Sequence, residues 1–319
     1  MTSRHAPIGL IIKTWNTGAA TRTCLDAIAR ASVLPSEVAV VDLGDDPTTR
    51  AYAIELARRH NIHLSWLAVG YRLAPGVANL RAFDTLSTPL VGLLDNDVIV
   101  PRHWLGPMIS ILLGASGVGI VAPIRPDPFL AYPGRDDSTE AILDDAKARF
   151  SAIPEIIEIF TGGRSLEELG REVQRANDLP RESSITFPSS LSSCCLGMTR
   201  LAVAAAGGIA DPAFSAGYGS EDIDLTWRVL RAGYQAIRTS EVFVVHLRHT
   251  SLQANQVDFP FELANANQLL YQHWRKQLLA WGRDRVRRGD NREDLAHRFI
   301  IRELFRNTTF ETDLFPPLA

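Results

Sequence analysis

Short apolar runs alternate with helix-like segments through the first hundred residues of the chain. The runs have the length of buried strands, and the segments between them repeat apolar residues every three or four positions. The runs are Ile8–Ile12, Val38–Val41, His63–Ala68 and Leu90–Leu94, and the helical patterns are Thr21–Ser32, Thr48–His60 and Ala78–Leu86. Alternation of this kind builds a parallel sheet covered by helices. The sequence therefore predicts an α/β fold with a mostly parallel sheet.

The predicted secondary structure differs in the rest of the chain. Residues 126–188 predict a helical insertion, because amphipathic helix patterns replace the strand-like runs. Strand-like runs return in 189–250, which we expect to form the second half of the domain that 1–125 begins. Residues 251–319 predict a helical C-terminal extension. The supporting patterns are helices at Ser138–Phe150, Ser165–Asn177 and Glu221–Arg231, strands at Ser189–Met198 and Glu241–His246, and helices across Phe261–Arg306.

Composition narrows the class of ligand and the compartment. The 319 residues carry a formal net charge of -3 without a basic cluster, so a small anionic ligand held with a metal fits better than nucleic acid. Cys24, Cys194 and Cys195 are too few and too irregularly spaced for a disulfide framework, which favours reduced thiols and the cytoplasm. Residues 1–7 lack a signal-peptide pattern, and glycines break the longest apolar run, so we expect no membrane span.

Polar residues stand where the predicted strands end. Ligands of such sheets gather at the carboxyl ends of the strands, and Asn16, Asp42 and the Asp95-Asn96-Asp97 motif each lie at such an end. Alternate residues of an extended chain face the same way, so the Asp95 and Asp97 carboxylates converge. Oxygen ligands of this kind hold Mg2+ or Mn2+ together with substrate phosphates. A polar turn after a strand is the structural alternative.

A second acidic group opens the helical pattern at residue 221. Glu221 and Asp222 follow the glycine-containing segment 217–220, and a carboxylate fixed there can act as a general base toward an acceptor hydroxyl. We favour Asp222 over Glu221 for this role. Acidic residues are also favoured in the first turn by the helix dipole, which is the alternative interpretation.

A histidine ends the later strand-like run. His246 follows Val242–Val245, and a neutral imidazole there can complete the coordination of Mn2+. A purely structural histidine is the alternative. Arg248, two residues further on, can meet a phosphate as a fixed cation or remain at the solvated surface.

The order of these segments over about Ile8–Thr250 resembles the inverting family 2 glycosyltransferases of the GT-A fold. The first strand and its Thr14-Trp15-Asn16 turn resemble the family's opening, with Lys13 in place of the usual proline. The Val40–Asp46 segment is similar to the second strand, and Asn79 lies in a segment like the Asn-containing helix that precedes the metal motif. The later similar segments are Ser192–Met198, Gly207–Asp211, Glu221–Leu225, Arg228, Ala232–Tyr234 and His246.

The resemblance implies a GT-A fold, a Rossmann-like sheet flanked by helices, and a role for each matching residue. Asp222 is implied as the base of a single displacement with inversion, and Asp97 and His246 as ligands of Mn2+ or Mg2+. The residues implied to contact the nucleotide-sugar donor are Thr14, Asn16, Asp42, Asn79, Asp95 and Asn96.

The expected partners are a nucleotide-diphosphate sugar and an acceptor that is a saccharide, a lipid-linked glycan or a small natural product. Nucleic acid is not expected, and a homodimer through the insertion or the C-terminal helices is possible. Two other functions stay open. The first is a sugar nucleotidyltransferase, which would favour a glycine-rich phosphate loop near the first strand, and Ile8–Gly18 lacks that loop. The second is an inactive sugar-binding or scaffold protein, which the loss of the base or of a metal carboxylate would favour. The sequence retains both the base and the metal carboxylates.

Overall fold

A computed structural model describes residues 6–114, 117–215 and 217–316 of the chain. The strands are β1 (Ile8–Thr14), β2 (Glu37–Asp42), β3 (His63–Ala68), β4 (Leu90–Asp95), β5 (Val98–Ile99), β6 (Val118–Ile124), β7 (Glu182–Ile185), β8 (Cys195–Thr199), β9 (Gln235–Phe243) and β10 (Val245–His246). The helices before residue 200 are α1 (Gly18–Ala29), α2 (Pro47–His60), α3 (Pro75–Phe83), α4 (Leu105–Gly114), α5 (Thr139–Arg149), α6 (Ile153–Thr161) and α7 (Leu166–Ala176). Those after it are α8 (Arg200–Ala205), α9 (Glu221–Arg231), α10 (Thr250–Ala254), α11 (Phe259–Arg287), α12 (Arg292–Ala296), α13 (Phe299–Asn307) and α14 (Phe310–Leu314).

The main sheet has eight strands in the order β3-β2-β1-β4-β8-β6-β9-β7. Only β8 and β7 run antiparallel to their neighbours among these strands, which confirms the predicted mostly parallel α/β fold. The strand order reverses between β1 and β4, because the chain builds β2 and β3 on one side of β1 and then returns to its other side. An open α/β sheet binds ligands at the carboxyl ends of the strands at such a reversal.

The predicted strand Ser189–Met198 is wrong in its first half, since β8 begins only at Cys195. The backbone N–H of Leu191 donates to the Thr226 hydroxyl, and that of Ser193 donates to the Asp222 carboxylate. These backbone groups therefore bond to α9 instead of a neighbouring strand. Residues 189–194 form a loop that fastens α9 to the sheet.

The predicted strand Glu241–His246 is divided between two sheets. β9 leaves the main sheet at Phe243, and β10 pairs antiparallel with β5, so that His246 lies opposite Val98. This small sheet joins the turn after β4 to a segment from much later in the chain.

The sequence patterns missed several elements, among them helix α6 and strand β7. Helix α6 has a proline, Pro154, in its first turn and ends at Gly162 in the left-handed conformation, φ 61°. Strand β7 contains Glu182, Ser183 and Ser184 and has no apolar run, yet it pairs along β9. Tertiary pairing therefore decides its structure, against its weak strand propensity.

Helices cover both faces of the sheet, and the C-terminal extension has an apolar cluster of its own. Its 29-residue helix α11 packs against α9 through Trp274 and Trp227, whose ring centroids lie 5.4 Å apart and nearly perpendicular. Edge-to-face contact of this kind adds to the hydrophobic stabilisation of a buried aromatic pair. The extension is thereby fixed to the helix that opens with Glu221 and Asp222. None of the helices in the described ranges is both long and apolar enough to cross a bilayer.

Candidate active site

A cavity of about 250 Å³ lies at the carboxyl ends of β1 and β4, where the strand order reverses. The predicted acidic groups and the predicted histidine meet in its wall. Asp95 ends β4 and Asp97 lies in the turn after it, Glu221 and Asp222 open α9, and His246 ends β10. The fold thus brings together the three groups that lie far apart in the sequence.

Asp95, Asp97 and His246 offer three ligand atoms within 4.8 Å of one another. His246 Nε2 lies 3.2 Å from Asp97 Oδ1 and 3.7 Å from Asp95 Oδ2. The pairing of β10 with β5 produces this approach, because it sets His246 beside Val98, the residue after Asp97. Two carboxylates and one imidazole are suitable ligands for Mn2+, and Mg2+ is held by similar carboxylates with water and phosphate.

Asp97 and His246 are also coupled electrostatically. Burial by itself raises the pKa of Asp97, but the charge and hydrogen bonds of His246 and Thr250 lower that pKa to about 2. Burial likewise lowers the pKa of His246, but the charges and hydrogen bonds of Asp97 and then Cys194 outweigh burial and raise that pKa well above its usual value. The Asp97 carboxylate is therefore ionised at every physiological pH and stabilises positive charge at this position.

Lys13 provides a cation on the other side of Asp95. The two residues are register partners on β1 and β4, and Lys13 Nζ lies 3.5 Å from Asp95 Oδ1. The same ammonium donates a 3.1 Å hydrogen bond to Asn79 Oδ1. Asn79 is itself 2% exposed, so its amide orients Lys13 from behind the cavity wall.

The other residues expected to contact the donor form hydrogen bonds within the protein. Asn96 donates to the Thr17 and Thr21 hydroxyls at 2.7 and 2.8 Å, and Thr14 shares a 2.7 Å hydrogen bond with Thr21. Both Asn96 and Thr14 are also in the cavity wall. This buried network fixes the turn that contains Asn96 to the start of α1.

Asp42 and Asn16 occupy turns beside the cavity. The Asp42 carboxylate accepts hydrogen bonds from the backbone N–H groups of Gly44 and Asp46, at 3.1 and 2.8 Å. Asn16 has a left-handed backbone, φ 55°, and donates to Asn255 Oδ1 at 2.6 Å. In this structure Asp42 shapes the β2 turn, and Asn16 joins the β1 turn to the C-terminal extension.

The acidic start of α9 is half-buried on the opposite wall. Asp222 Oδ2 accepts the Ser193 backbone N–H at 3.1 Å, and its Oδ1 accepts the Ile223 N–H at 2.8 Å. Burial raises the pKa of Asp222, although these two hydrogen bonds oppose the shift. Burial and the neighbouring Asp222 raise the pKa of Glu221 to about 7, against the opposing charge of Lys13. Both carboxylates are thus more basic than exposed ones.

Asp224, in the same helix turn, faces away from this pair. It accepts a 2.6 Å hydrogen bond from Arg228 Nε and a 2.9 Å one from Trp274 Nε1. Arg228 also donates to the carbonyls of Ala206 and Gly208. Asp224 and Arg228 are both nearly fully buried, so this pair joins α9 to α11 and to the loop after α8.

Several residues in or beside the cavity were not predicted. Arg72 lies over the Trp15 ring, 5.8 Å from its centroid, and pairs with Glu262 of α11 at 2.7 Å. The Thr250 hydroxyl donates to Asp97. No periodic pattern marks these positions, since their partners are distant in the sequence. Lys13 has a weak signal, because a charged residue near the end of a buried strand is unusual.

Arg248 is outside the cavity wall, contrary to one interpretation of the sequence. It forms ion pairs with Glu140 and Asp144 of α5. His249 is in the wall instead, and its ring packs against Phe259 with the centroids 4.4 Å apart.

Comparisons with known proteins agree with this architecture. Residues 10–163 match the family model described as Glycosyl transferase family 2. No curated protein matches the chain. Among solved structures, the mannosyltransferase PcManGT from Pyrobaculum calidifontis, in complex with GDP-Man and Mn2+, is 16% identical with a TM-score of 0.57. That match covers 98% of this chain and 73% of PcManGT.

GalNAc-T7, solved with UDP, GalNAc and Mn2+, is 11% identical with a TM-score of 0.52. The match covers 77% of this chain and 44% of GalNAc-T7. At such identities the likeness establishes the fold, while the family match rests on the sequence of 10–163. Residues 10–163 thus match glycosyl transferase family 2, and the chain has the GT-A fold that it shares with these two glycosyltransferases.

Proposed function

We propose that the protein transfers a sugar, with inversion, from a nucleotide-diphosphate sugar to an acceptor hydroxyl, and that it requires Mn2+ or Mg2+. The observation that carries this proposal is the arrangement of the cavity. The Asp97–His246 pair lies in the same cavity as Glu221 and Asp222, whose carboxyl pKa values are raised. This reaction needs a cation-binding group at the departing diphosphate and a general base at the acceptor hydroxyl, on opposite sides of the sugar.

Asp97 and His246 are the proposed ligands of the cation. Their distances and donor atoms fit the ion, and Thr250 holds the second carboxylate oxygen of Asp97 in place. When bound, the cation supplies positive charge that stabilises the departing diphosphate. Asp95, paired with Lys13, is proposed to act on the donor's sugar or on a coordinated water.

Asp222 is the proposed base of a single displacement. It accepts the proton of the acceptor hydroxyl while that oxygen attacks the anomeric carbon and the bond from that carbon to the diphosphate oxygen breaks. The Ser193 and Ile223 N–H groups fix its carboxylate, and its raised pKa makes it a better proton acceptor than an exposed aspartate. Glu221 stands beside it as a second carboxylate that tunes the charge of the site. No covalent sugar intermediate is required.

The donor's nucleotide is proposed to bind toward the β1 and β2 turns. Trp15, Leu43 and Arg72 are in that part of the wall and offer an aromatic face, an apolar surface and a cation. The five residues Thr14, Asn16, Asp42, Asn79 and Asn96 are proposed to position this region through the hydrogen bonds described above. In this scheme residues 1–125 supply the donor site, and residues 189–250 supply the base. The helices of 126–188 and 251–319 are proposed to contact the acceptor or a second copy of the chain.

Donor binding with and without cation tests the proposal. The protein is mixed with a panel of nucleotide sugars and nucleoside diphosphates, with Mn2+, with Mg2+ or with a chelator, and its Tm and the nucleoside diphosphate released are measured. One nucleotide is expected to raise the Tm only with the cation, because a ligand that binds the folded state stabilises it in proportion to occupancy. Equal affinity after chelation would overturn the mechanism. Formation of a nucleotide sugar from a nucleoside triphosphate and a sugar phosphate would favour a nucleotidyltransferase.

A further inference from the structure

Three aromatic rings lie together in the wall of the active-site cavity. They belong to Tyr218, His249 and Phe259, and the same wall contains Glu221 and Asp222. The His249 and Phe259 ring centroids are 4.4 Å apart. The Tyr218 ring stands edge-on to Phe259, with 6.4 Å between the centroids and 81° between the planes. The three rings therefore form one aromatic surface, with Phe259 at its centre.

Phe259 belongs to the C-terminal extension, outside the residues 10–163 that match the family model. It is the first residue of α11, where the Asp258 carboxylate caps the helix by accepting the Phe261 N–H at 3.2 Å. A side-chain cap of this kind stabilises the first turn of a helix and so fixes the position of Phe259 at the cavity. The extension therefore supplies part of the cavity wall as well as packing against α9.

Tyr218 connects the aromatic surface to the proposed base. It lies in the loop 217–220 that leads into α9, four residues before Asp222. Gly219, with φ 110°, brings this loop against α11, since a Cβ added there would lie 3.6 Å from Ala266 Cβ. Burial raises the pKa of Tyr218, and the negative charges of the carboxylates in the cavity raise it further. An acceptor whose hydroxyl lies at Asp222 therefore has this aromatic surface beside it.

The rings of the aromatic surface are separate from the hydrophobic core. Within the described ranges, the three clusters of buried apolar side chains contain neither Tyr218 nor Phe259, and neither ring packs against their edges. Both rings are half-buried, and His249 is exposed. Aromatic side chains that line a cavity and stay partly open to solvent are typical of a ligand site, where they bury apolar area of the bound molecule.

Polar groups surround the aromatic surface. The same wall carries the hydroxyls of Ser192 and Ser251 and the carboxylates of Glu221 and Asp222. A sugar ring matches both kinds of group, because it has C–H groups on one face and hydroxyls around its edge. The face of an aromatic ring is negative and attracts such C–H groups. A lipid chain would instead cover the polar groups without hydrogen bonds, which is costly.

We propose that Tyr218, His249 and Phe259 form the acceptor subsite, and that the acceptor binds there through the apolar face of a sugar ring. The hydroxyl that receives the donor's sugar points from this ring to Asp222, and the other hydroxyls of the ring face the polar part of the wall. The nucleotide is assigned to another part of the wall, at the β1 and β2 turns. This inference rests on the proposed function and names its acceptor class.

Ligand-observed NMR on the donor-loaded protein tests the inference. The full chain is saturated with Mg2+ and the nucleoside diphosphate that it binds. Methyl glycosides of glucose, galactose, mannose and N-acetylglucosamine are then titrated while the aromatic protons of the protein are saturated. At least one glycoside is expected to bind saturably, with the strongest saturation transfer to C–H protons on one face of its ring. Phenol is titrated in the same way, since a planar aromatic acceptor would also pack on this surface.

Three variants separate the Phe259 ring from the rest of the site. Phe259→Leu removes the aromatic face and is expected to weaken glycoside affinity about three- to tenfold, the size of one aromatic contact. Phe259→Tyr keeps the face and is expected to retain most of the affinity. Phe261→Leu is the matched control, because that ring is exposed, lies two residues further along α11 and is outside the cavity wall. Mg2+-dependent nucleotide binding and the Tm are measured in every variant as the test of folding.

The outcomes distinguish this inference from the proposed function. Weaker glycoside binding in Phe259→Leu with unchanged nucleotide binding supports the acceptor subsite. The inference is overturned by no saturable glycoside binding to the loaded wild type, by equal glycoside affinity in wild type and Phe259→Leu, or by phenol binding more tightly than every glycoside. A Phe259→Leu variant that loses nucleotide affinity instead would assign the ring to the donor, which also overturns it. Absence of cation-dependent nucleotide binding in wild type would overturn the proposed function and this inference with it.

Discussion

The Thr250 hydroxyl donates a 2.7 Å hydrogen bond to Asp97 Oδ2, across 153 positions of sequence. The other oxygen of the same carboxylate faces His246 at 3.2 Å. One residue of the metal motif is thus oriented on both sides by the segment 246–250. The strength of the proposed metal site should depend on that segment as much as on the aspartates.

Thr250→Val is expected to weaken Mn2+ binding by about tenfold, because partners that orient a metal ligand typically contribute 10- to 100-fold to affinity. The valine keeps the shape and removes the donor. Titration calorimetry with Mn2+ at fixed nucleoside diphosphate measures the effect. Thr250→Ser is the matched control, which retains the hydroxyl and should stay within a few-fold of wild type. Equal Mn2+ affinity in the valine variant would show that the hydrogen bond has no part in metal binding.

Asp222→Asn is expected to reduce sugar transfer by at least a hundredfold while donor affinity changes little, since a general base contributes about 10²- to 10⁴-fold. Asp97→Asn is expected to weaken the cation-dependent donor complex itself. Initial rates and nucleotide binding, measured side by side, separate the two roles. Unchanged turnover in Asp222→Asn would remove this residue from the role of base and direct attention to Glu221.

Transfer should be slow in acid and increase as the pH passes about 7. The base must be ionised to accept a proton, and burial raises the pKa of Asp222 and, together with Asp222 itself, that of Glu221 to about 7. The two groups interact, so the rate profile reports the pair and not one residue. A profile of kcat/KM between pH 5 and 9 checks this expectation.

Glu221→Gln is the control for that profile. Removing the group that titrates near pH 7 should move the acid limb to lower pH while activity at pH 8 is largely kept. An acid limb that remains unchanged near pH 7 would assign the titration to another group.

Lys13→Met is expected to weaken nucleoside diphosphate binding by about tenfold, the size of one lost charge-assisted contact. The ammonium is the countercharge of Asp95 and also offsets Glu221, so its removal leaves excess negative charge where an anionic donor must bind. Calorimetry at saturating Mn2+ gives the affinity. Lys13→Arg keeps the charge and should lose much less. Undiminished affinity in the methionine variant would contradict a donor-binding role for the lysine.

Asp224→Ala is expected to lower the free energy of unfolding by about 3 kcal/mol or more, because it leaves the guanidinium of Arg228 buried without its partner. Urea denaturation followed by tryptophan fluorescence measures this loss. The double variant Asp224→Leu with Arg228→Met replaces both charges by apolar groups and should recover part of it. A single variant as stable as wild type would mean that water or another group satisfies Arg228.

The first half of the fold could be predicted from sequence because its signals are local. Each run such as Leu90–Leu94 is an apolar strand with a polar end, and the strand–helix alternation leaves little choice of topology. Strand β7 was missed because it has no local apolar pattern and depends on its pairing with β9.

The acidic residues of the site could be predicted for the same reason, since Asp95, Asp97 and Asp222 stand at element ends. The positions of Asn79 and Asn96 could not, because the sequence does not tell whether a polar side chain faces the ligand or a neighbour. Asn79 bonds to Lys13, and Asn96 bonds to hydroxyls of the α1 region. Thr250 and Arg72 are recognised only once the chain has folded back on itself.

The pairing of β5 with β10 has a consequence for how this enzyme can be divided or recombined. The matched family segment ends at residue 163, so it contains both carboxylates of the metal motif but neither the imidazole opposite them nor the acidic pair of α9. A chimaera that joins this segment to the second half of a family 2 glycosyltransferase would keep only the two carboxylates of the proposed metal site. Its activity would depend on whether the protein that supplies the second half has a histidine and a hydroxyl side chain at the positions of His246 and Thr250. Sequence similarity over residues 10–163 alone therefore says little about which metal and which acceptor a protein with this fold uses.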